Sequence, residues 1–404
     1  MNRLLNWEFP LVKVPCSSKE SSAGILPGGI YIHVPFCIQK CLYCDFYSIT
    51  DLSVADDFLH AVQTEIRLRN KTDNLFDTIY IGGGTPSALK PLKIKTILKA
   101  VFSSFAIARN AEVTMEINPG TVDSADLTAY RKMGINRLSI GIQSFFESNL
   151  RFLGRIHTAG DAEKTITAAR SAGFTNISLD LISGLPGQTE KSWINDLEQA
   201  LLFSPEHLSC YMLTYEPGTP LDRKRKKNLF TPLEDPKAGS LFSITGQFLS
   251  RNGYQQYEIS NYARSETFYS KHNRKYWRFH PYLGFGPSAH SFSDHVRSWN
   301  HRSVETYIEN LGREILPVEN TEILNREQQI MEFIYLGLRQ TDGISMDDFY
   351  RQFGKRFETV FSGTITFLEN RQWLQTKEGK CFLTPSGMLL LDSIADMFLQ
   401  NEPL

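Results

Sequence analysis

Three of the six cysteines crowd into one run, Cys37-Ile38-Gln39-Lys40-Cys41-Leu42-Tyr43-Cys44. Cysteine thiolates are the ligands of iron–sulfur clusters, normally four to a [4Fe–4S] cube. Three closely spaced thiolates can hold three irons and leave the fourth open to another ligand. Zinc is the competing metal, but a structural zinc site takes four ligands, usually as two separated pairs. The chain has no second CxxC pair. The C-x3-C-x2-C spacing therefore points to a [4Fe–4S] cluster with Cys37, Cys41 and Cys44 as its metal ligands. Cys16, Cys210 and Cys381 are scattered, unlike a secreted disulfide framework, so thiols in a reducing compartment are expected. Cys210, inside a strand-like stretch, reads as packing.

Other residues gain meaning from their company. Gly82-Gly83-Gly84-Thr85-Pro86 alone is a turn with special backbone angles. Glu116 alone is a solvated carboxylate. Both close strand-like segments, as do Gln143 and the Gly184–Gly187 turn just past Asp180. Five of the nine histidines, His272, His280, His290, His295 and His301, share one aromatic region. His272-Asn273-Arg274-Lys275-Tyr276-Trp277 could offer an imidazole to heme iron and rings to a porphyrin face. The competing reading for each histidine is a hydrogen-bonded or solvated ring, and for His272 the two readings stand level. Arg223–Lys227 (RKRKK) reads first as a solvated linker, then as a contact to an anionic membrane. It could also attract the propionates of a heme.

Six segments rich in β-branched and aromatic residues read as strands: 29–36, 78–84, 112–119, 137–144, 176–186 and 207–216. Amphipathic stretches such as 55–70 and 163–173 lie between them, the second stopped by Gly173. Strand–helix alternation implies a parallel sheet with right-handed crossovers. Polar residues at the carboxyl ends of nearly all six strands favour a β/α barrel, whose ligands bind at that rim. Six strands cannot close the usual eight-stranded barrel, so a partial (β/α)6 barrel with a wide mouth is expected. GFGPSA (284–289) mimics a dinucleotide fingerprint, but the expected reading is a turn. The end of the chain reads as helices at 346–354 and 357–370, a hairpin at 373–383 and a helix at 385–399. That order resembles a winged-helix module, and its two-signed charge argues against DNA as its ligand.

C-x3-C-x2-C with an aromatic before the last cysteine resembles the signature of the radical S-adenosylmethionine superfamily. There the open iron is chelated by S-adenosylmethionine, whose reductive cleavage releases a 5′-deoxyadenosyl radical, on a partial (β/α)6 barrel. The resemblance implies S-adenosylmethionine contacts from Tyr31, Gly83, Gly84, Thr85, Glu116, Gln143, Arg155 and Asp180. YIHVPFC, GGGTPS, EINPG, NRLSIGIQSF, LGRIHT and LDLISGLPGQT are similar to the oxygen-independent coproporphyrinogen III oxidase family over roughly 29–300. The C-terminal part resembles that family's C-terminal domain. Decarboxylating members carry a further cysteine two residues after the last cluster ligand, where this chain has Phe46. Phe46 and the HNxxYW motif both match the family's heme-chaperone branch.

The resemblance implies a chaperone that binds heme, with His272 as its candidate ligand, and delivers it to hemoprotein acceptors. The alternative is radical decarboxylation of coproporphyrinogen III, and no catalytic residue is assigned. The expected divisions are an N-terminal extension (1–24), the barrel (25–240), an aromatic, His-rich connecting region (241–315) and a C-terminal domain (316–404). A net charge of −1 over 404 residues argues against wholesale nucleic-acid binding. No apolar run reaches the roughly 18 residues of a membrane span. A cytoplasmic protein is expected, with at most a peripheral membrane contact.

Overall fold

The computed structural model describes residues 26–70, 72 and 74–400. The N-terminal extension and Cys16 lie outside the described residues. Six strands, β1 (Gly28–Val34), β2 (Leu75–Gly83), β3 (Ala106–Ile117), β4 (Arg137–Gln143), β5 (Ile177–Ser183) and β6 (His207–Met212), lie side by side in chain order, every neighbouring pair parallel. They match the six expected from sequence. Helices cross between them, among them Ala55–Leu68, Pro91–Ser104, Ala159–Ser171 and Glu190–Leu202.

Side chains alternate along a strand with period two, and this sheet uses that period to separate two environments. Ile30, Ile32, Val34, Ile79, Ile81, Val113, Met115, Leu138, Ile140, Leu179 and Leu181 belong to the main apolar core. The alternate positions are polar: Tyr31 and His33, Tyr80, Glu116, Arg137 and Ser139, Asp180, Ser209. Of these, Tyr31, Tyr80, Glu116, Arg137, Ser139, Asp180 and Ser209, drawn from all six strands, line one cavity of about 1010 Å³. A barrel interior is ordinarily filled by branched apolar side chains; here it is polar and open.

The sheet is wider than the sequence suggested. β7 (Gln255–Glu258) and β8 (Asn261–Ala263) extend it beyond β6, with β8 antiparallel to β6. At the other edge, β9 (Tyr282–Phe285) pairs parallel with β1, followed outward by β10 (His290–Ser293), β11 (Val296–Asn300) and β12 (Val318–Ile323). The half-barrel thus covers both its edges, which would otherwise present unpaired backbone groups. These strands have three to six residues each, too short to show a period. GFGPSA begins inside β9 and leads into β10, not into a helix. It is a tight turn in which a Cβ on Gly286 would lie 2.3 Å from the His33 carbonyl oxygen. Buried Glu65 pins this region, accepting from Gly286 N–H (2.9 Å), Asn300 Nδ2 (2.8 Å) and Tyr307 Oη (2.6 Å).

The C-terminal part has its own core, including Ile334, Phe349, Phe357, Phe361, Leu368 and Phe398. Helices Met346–Phe353 and Ser362–Asn370, the hairpin Leu374–Lys377/Lys380–Leu383 and helix Leu391–Gln400 follow the expected order. A short strand, Ile344–Ser345, makes the hairpin a three-stranded sheet. This module reaches the barrel through Arg339, whose guanidinium donates to buried Glu258 at 2.6 Å. Tyr335, Arg339, Met388, Leu389 and Leu390 all line the cavity. RKRKK is not a linker. Helix Pro220–Lys226, capped by Thr219, contains its first four residues.

Candidate functional site

The loop after β1 carries the three cysteines and is held at both ends. Cys37 N–H donates to the Ile49 carbonyl (2.9 Å), and Ile49 N–H returns to Pro35 (2.7 Å). Farther along, Leu42 N–H donates to Leu153 O (3.1 Å), while Leu42 O accepts from Leu221 N–H (2.9 Å). Gly84 lets the second strand end come close: its N–H donates to Val34 O at 2.8 Å, and Thr85 N–H donates to Phe36 O at 2.6 Å. A Cβ on Gly84 would sit 2.6 Å from that same Phe36 oxygen, so space selects glycine here.

Side chains from three separate segments then join the cysteines. Thr85 Oγ1 donates to Cys37 Sγ (3.5 Å) and accepts from Asn118 Nδ2 (2.8 Å). Asn118 Oδ1 accepts from Arg155 Nη2 (2.7 Å), and Arg155 Nη1 donates to Cys41 Sγ (3.4 Å). The belt Cys37–Thr85–Asn118–Arg155–Cys41 directs a donor at each of two sulfurs. Hydrogen bonds to cluster sulfurs are one way a protein tunes such a centre. Burial first, then charge on Cys41 and Cys37, push the Cys44 thiol up to about 11, while the Phe46 backbone N–H pulls it back. A buried Cys44 thiol that resists ionising on its own fits a cationic centre that supplies the missing counter-charge. Among the described residues no group of three or more His, Cys, Asp and Glu side chains is drawn together around a single ion. The fit to a multi-iron cluster rests on three free thiols that line one cavity.

Tyr31, Gly83, Gly84, Thr85, Glu116, Gln143, Arg155 and Asp180 line that same cavity. Glu116 accepts from Tyr80 Oη at 2.8 Å. Burial pushes its carboxyl up to about 7, against the pull of Tyr80. Asp180 accepts from Ser139 Oγ at 2.9 and 3.2 Å, and burial raises it too. Gln143 stands at the end of β4 with φ 70°, a left-handed backbone uncommon for a residue with a side chain. That backbone coincides with a break in register against β5. Burial holds His33 neutral, down at about 4, so Nε2 donates to Tyr47 O (2.9 Å) and Nδ1 accepts from Tyr31 Oη (3.1 Å). Sequence reasoning missed Asn118, Tyr80, Arg137 and Ser139. Three of these four lay inside motifs already quoted, where the period-two pattern marks Arg137 and Ser139 as facing the same way as Gly141, toward the cavity.

His272 is elsewhere. It sits on helix Lys271–Trp277, fully buried, and does not line the cavity. Its Nδ1 is 2.8 Å from Thr78 Oγ1 and its Nε2 2.8 Å from Tyr276 Oη. Its ring stacks on Tyr80, centroids 5.2 Å apart. The backbone N–H groups of Lys271 and His272 both donate to Glu112 (3.1 Å each), and Lys275 reaches Asp77 (2.6 Å) and Pro27 O (2.7 Å). The motif thus docks at the amino ends of the strands. Thr78 lies four residues before Gly82, roughly 13 Å along the strand from the cysteine loop's end of the barrel. In this arrangement both imidazole nitrogens lie within hydrogen-bond distance of a hydroxyl. Burial, then Lys275, lowers its pKa to about 3, so the ring is neutral.

Two family models match the chain: the radical SAM superfamily over residues 31–200 and the HemN C-terminal domain over residues 324–390. The heme chaperone HemW of Bacillus subtilis (strain 168) is 35% identical over 375 residues, 91% of this chain and 98% of that protein. HemW of Escherichia coli (strain K12) is 40% identical over 65% of this chain and 70% of its own length. The mitochondrial radical S-adenosyl methionine domain-containing protein 1 of Danio rerio is 30% identical over 96% and 88%. Among solved structures, coproporphyrinogen III oxidase (HemN) from Escherichia coli, a radical SAM enzyme, superimposes with a TM-score of 0.82 at 24% identity, over 93% of this chain and 91% of that one. At that identity the likeness speaks for the fold.

Proposed function

From the premise that this chain belongs to the radical S-adenosylmethionine superfamily and, within its coproporphyrinogen III oxidase-like family, to the HemW branch, we propose that it is a heme chaperone. It binds heme and passes it to hemoprotein acceptors. Cys37, Cys41 and Cys44 would hold a [4Fe–4S] cluster, and Tyr31, Gly83, Gly84, Thr85, Glu116, Gln143, Arg155 and Asp180 would hold S-adenosylmethionine. Together the pair supplies an open iron and a sulfonium that one electron can cleave. The chain's own part is to aim Thr85 and Arg155 at the sulfurs and to set two carboxyls beneath a cationic ligand.

The observation that carries the chaperone reading is Phe46. It lies on the rim of the cavity, 70% exposed, where decarboxylating relatives have a thiol. Apolar and aromatic side chains from outside the six strands, Phe242, Ile259, Tyr335, Met388, Leu389 and Leu390, also line the cavity, beside polar Ser260, Arg339 and Asp392. At about 1010 Å³ the whole cavity lies at the top of the range of a small-molecule site, roughly 300–1,000 Å³. Radical decarboxylation of coproporphyrinogen III is the second reading, favoured by the completeness of the set that lines the barrel interior.

Anaerobic incubation of cluster-loaded protein with S-adenosylmethionine, a reductant and coproporphyrinogen III separates the two. The expected result is no divinyl product beside a working HemN control, and transfer of bound heme to an apo-hemoprotein followed by its absorbance. Divinyl product would make the chain an enzyme.

His272 gives a second test. With its nitrogens committed to Thr78 and Tyr276, His272→Ala is expected to leave heme affinity and the heme absorption spectrum unchanged. It should destabilise the fold by about 2–3 kcal/mol, since it opens a cavity and strands a buried hydroxyl. A lost or shifted heme spectrum in folded His272→Ala protein would show that the floor of the barrel opens to admit iron.

A further inference from the structure

Four tyrosines form a row that leaves the cavity through the barrel wall. Tyr31 and Tyr80 line the cavity, their ring centroids 6.3 Å apart. The Tyr80 ring stacks on His272 at 5.2 Å, His272 meets Tyr276 edge-on at 5.1 Å, and Tyr276 meets Tyr282 edge-on at 4.7 Å. Tyr282 ends the row, half-buried on β9 beside Arg297 and Glu332. Edge-on and stacked rings are ordinary aromatic packing, for which phenylalanine would serve as well. The hydroxyls are what packing does not explain, since each buried one costs free energy unless it is paired. Here the first three are each set against a base. Tyr31 Oη donates to His33 Nδ1 (3.1 Å) and Tyr80 Oη to Glu116 Oε1 (2.8 Å). Tyr276 Oη lies 2.8 Å from His272 Nε2, which accepts when the neutral ring carries its proton on Nδ1 toward Thr78. A phenol that loses an electron becomes a strong acid, so it is oxidised readily only where its proton has a base to go to.

We propose that Tyr31, Tyr80, Tyr276 and Tyr282 form an escape route that carries an oxidising equivalent out of the cavity when a radical formed there meets no substrate. The inference rests on the radical S-adenosylmethionine reading, which supplies the oxidant, a primary carbon radical. That radical takes the phenolic hydrogen atom of Tyr80, or of Tyr31, which Tyr80 then repairs with its own electron and proton. One O–H bond breaks, one C–H bond forms, and a phenoxyl radical remains on Tyr80. A phenolic O–H is weaker than a primary C–H, so the step runs downhill. The Tyr80 phenoxyl takes an electron from Tyr276 and a proton from Glu116, while the Tyr276 proton passes to His272 Nε2. Tyr276 is restored by an electron from Tyr282 and by the proton held on His272, and Tyr282 releases its own proton to solvent. At the exit a soluble thiol gives Tyr282 a hydrogen atom, and two such thiyl radicals join as a disulfide. Glu116 regains a proton from solvent. The net change is one hydrogen atom moved from a thiol to the carbon radical, with the cysteine loop untouched.

The test has two arms, both on the full chain. In the first, cluster-free protein carries 3-aminotyrosine in place of Tyr80, a side chain oxidised more easily than tyrosine that therefore collects the radical. Photogenerated tris(bipyridyl)ruthenium(III) oxidises the protein from solution, and the frozen sample is read by electron paramagnetic resonance. The aminotyrosyl signal is expected with Tyr276 and Tyr282 in place and should be lost for the most part in Tyr276→Phe and in Tyr282→Phe. Tyr350→Phe, an exposed tyrosine on the C-terminal module, should keep it. Tyr282→Phe leaves His272 and its two hydrogen bonds intact, so its loss of signal could not be laid to a disturbed barrel. In the second arm, cluster-loaded protein with S-adenosylmethionine is reduced without substrate in the presence of biotin-tyramide, which couples to phenoxyl radicals. Mass spectrometry should find the adduct on Tyr282 in the parent and not in Tyr276→Phe. An equal aminotyrosyl signal in parent, Tyr276→Phe and Tyr282→Phe would overturn the proposal. So would a Tyr282 adduct that survives Tyr276→Phe. Failure to load a cluster or to cleave S-adenosylmethionine would instead count against the radical reading, while the cluster-free arm would still decide the route.

Discussion

Gly84→Ala protein, reconstituted anaerobically with iron and sulfide, is expected to hold roughly a tenth or less of the parent's iron and to lack the cluster's visible absorbance. The reason is space. The added Cβ would lie 2.6 Å from Phe36 O and 3.0 Å from Phe36 N and C, all backbone atoms that cannot rotate away. The segment before Cys37 must therefore separate from the end of β2, which breaks Gly84 N–H to Val34 O and Thr85 N–H to Phe36 O. It also carries Thr85 away from Cys37 Sγ and so opens the belt that runs through Asn118 and Arg155 to Cys41. Overpacking of this kind costs about 1–3 kcal/mol, small enough to leave a folded barrel whose loop is displaced. Gly187→Ala is the control. Its φ is 73° and nothing lies within 4 Å, so it carries about 1–2 kcal/mol of backbone strain and should keep its iron. Full iron content in Gly84→Ala would mean that the loop yields without moving its thiols.

Glu116→Gln is expected to weaken S-adenosylmethionine binding roughly 10- to 100-fold above neutral pH and to remove its pH dependence, the range expected for one charge-assisted hydrogen bond. In the unfolded chain this carboxyl titrates at its ordinary value of 4.5; folded, burial holds it up to about 7. Its contribution to stability is therefore fully present below about 4.5 and is lost as the pH rises through about 7, so the ligand-free protein loses stability over that window. A cationic ligand reverses the balance. Below 7 it must displace a proton from Glu116, and above 7 it meets a carboxylate already charged and still hydrogen-bonded to Tyr80. Affinity in the parent should thus rise with pH toward 7, by up to about tenfold per unit, and level off above it. Titration calorimetry in buffers of different ionisation enthalpy should register proton release in the parent below 7 and none from the variant at that site. Equal affinities in parent and variant at every pH would remove Glu116 from the ligand's contacts.

Much of this protein is determined by the sequence alone. The cysteine spacing, the six strands and the order of elements in the C-terminal module are local properties, written in runs of fifteen residues or fewer, the strands in period two. The alternation in Arg137–Gln143, apolar Leu138, Ile140 and Ile142 against Arg137, Ser139 and Gly141, already separates an outer apolar face from an inner polar one. Tertiary structure decided everything that depends on partners distant in the chain. No local pattern relates Cys37 to Thr85, Asn118 and Arg155, because a hydrogen bond has no signature in the sequence of either partner. Strands of three to six residues at the sheet's edges are too short for a period to show. RKRKK read as a linker because charge dominates its composition, whereas Thr219, Asp222 and Leu221 make it a capped helix on the cysteine loop. His272 is the sharpest case. Its motif suggests an imidazole for iron; one helical turn sets Tyr276 at 2.8 Å from one nitrogen, and only the packed barrel brings Thr78 to 2.8 Å from the other.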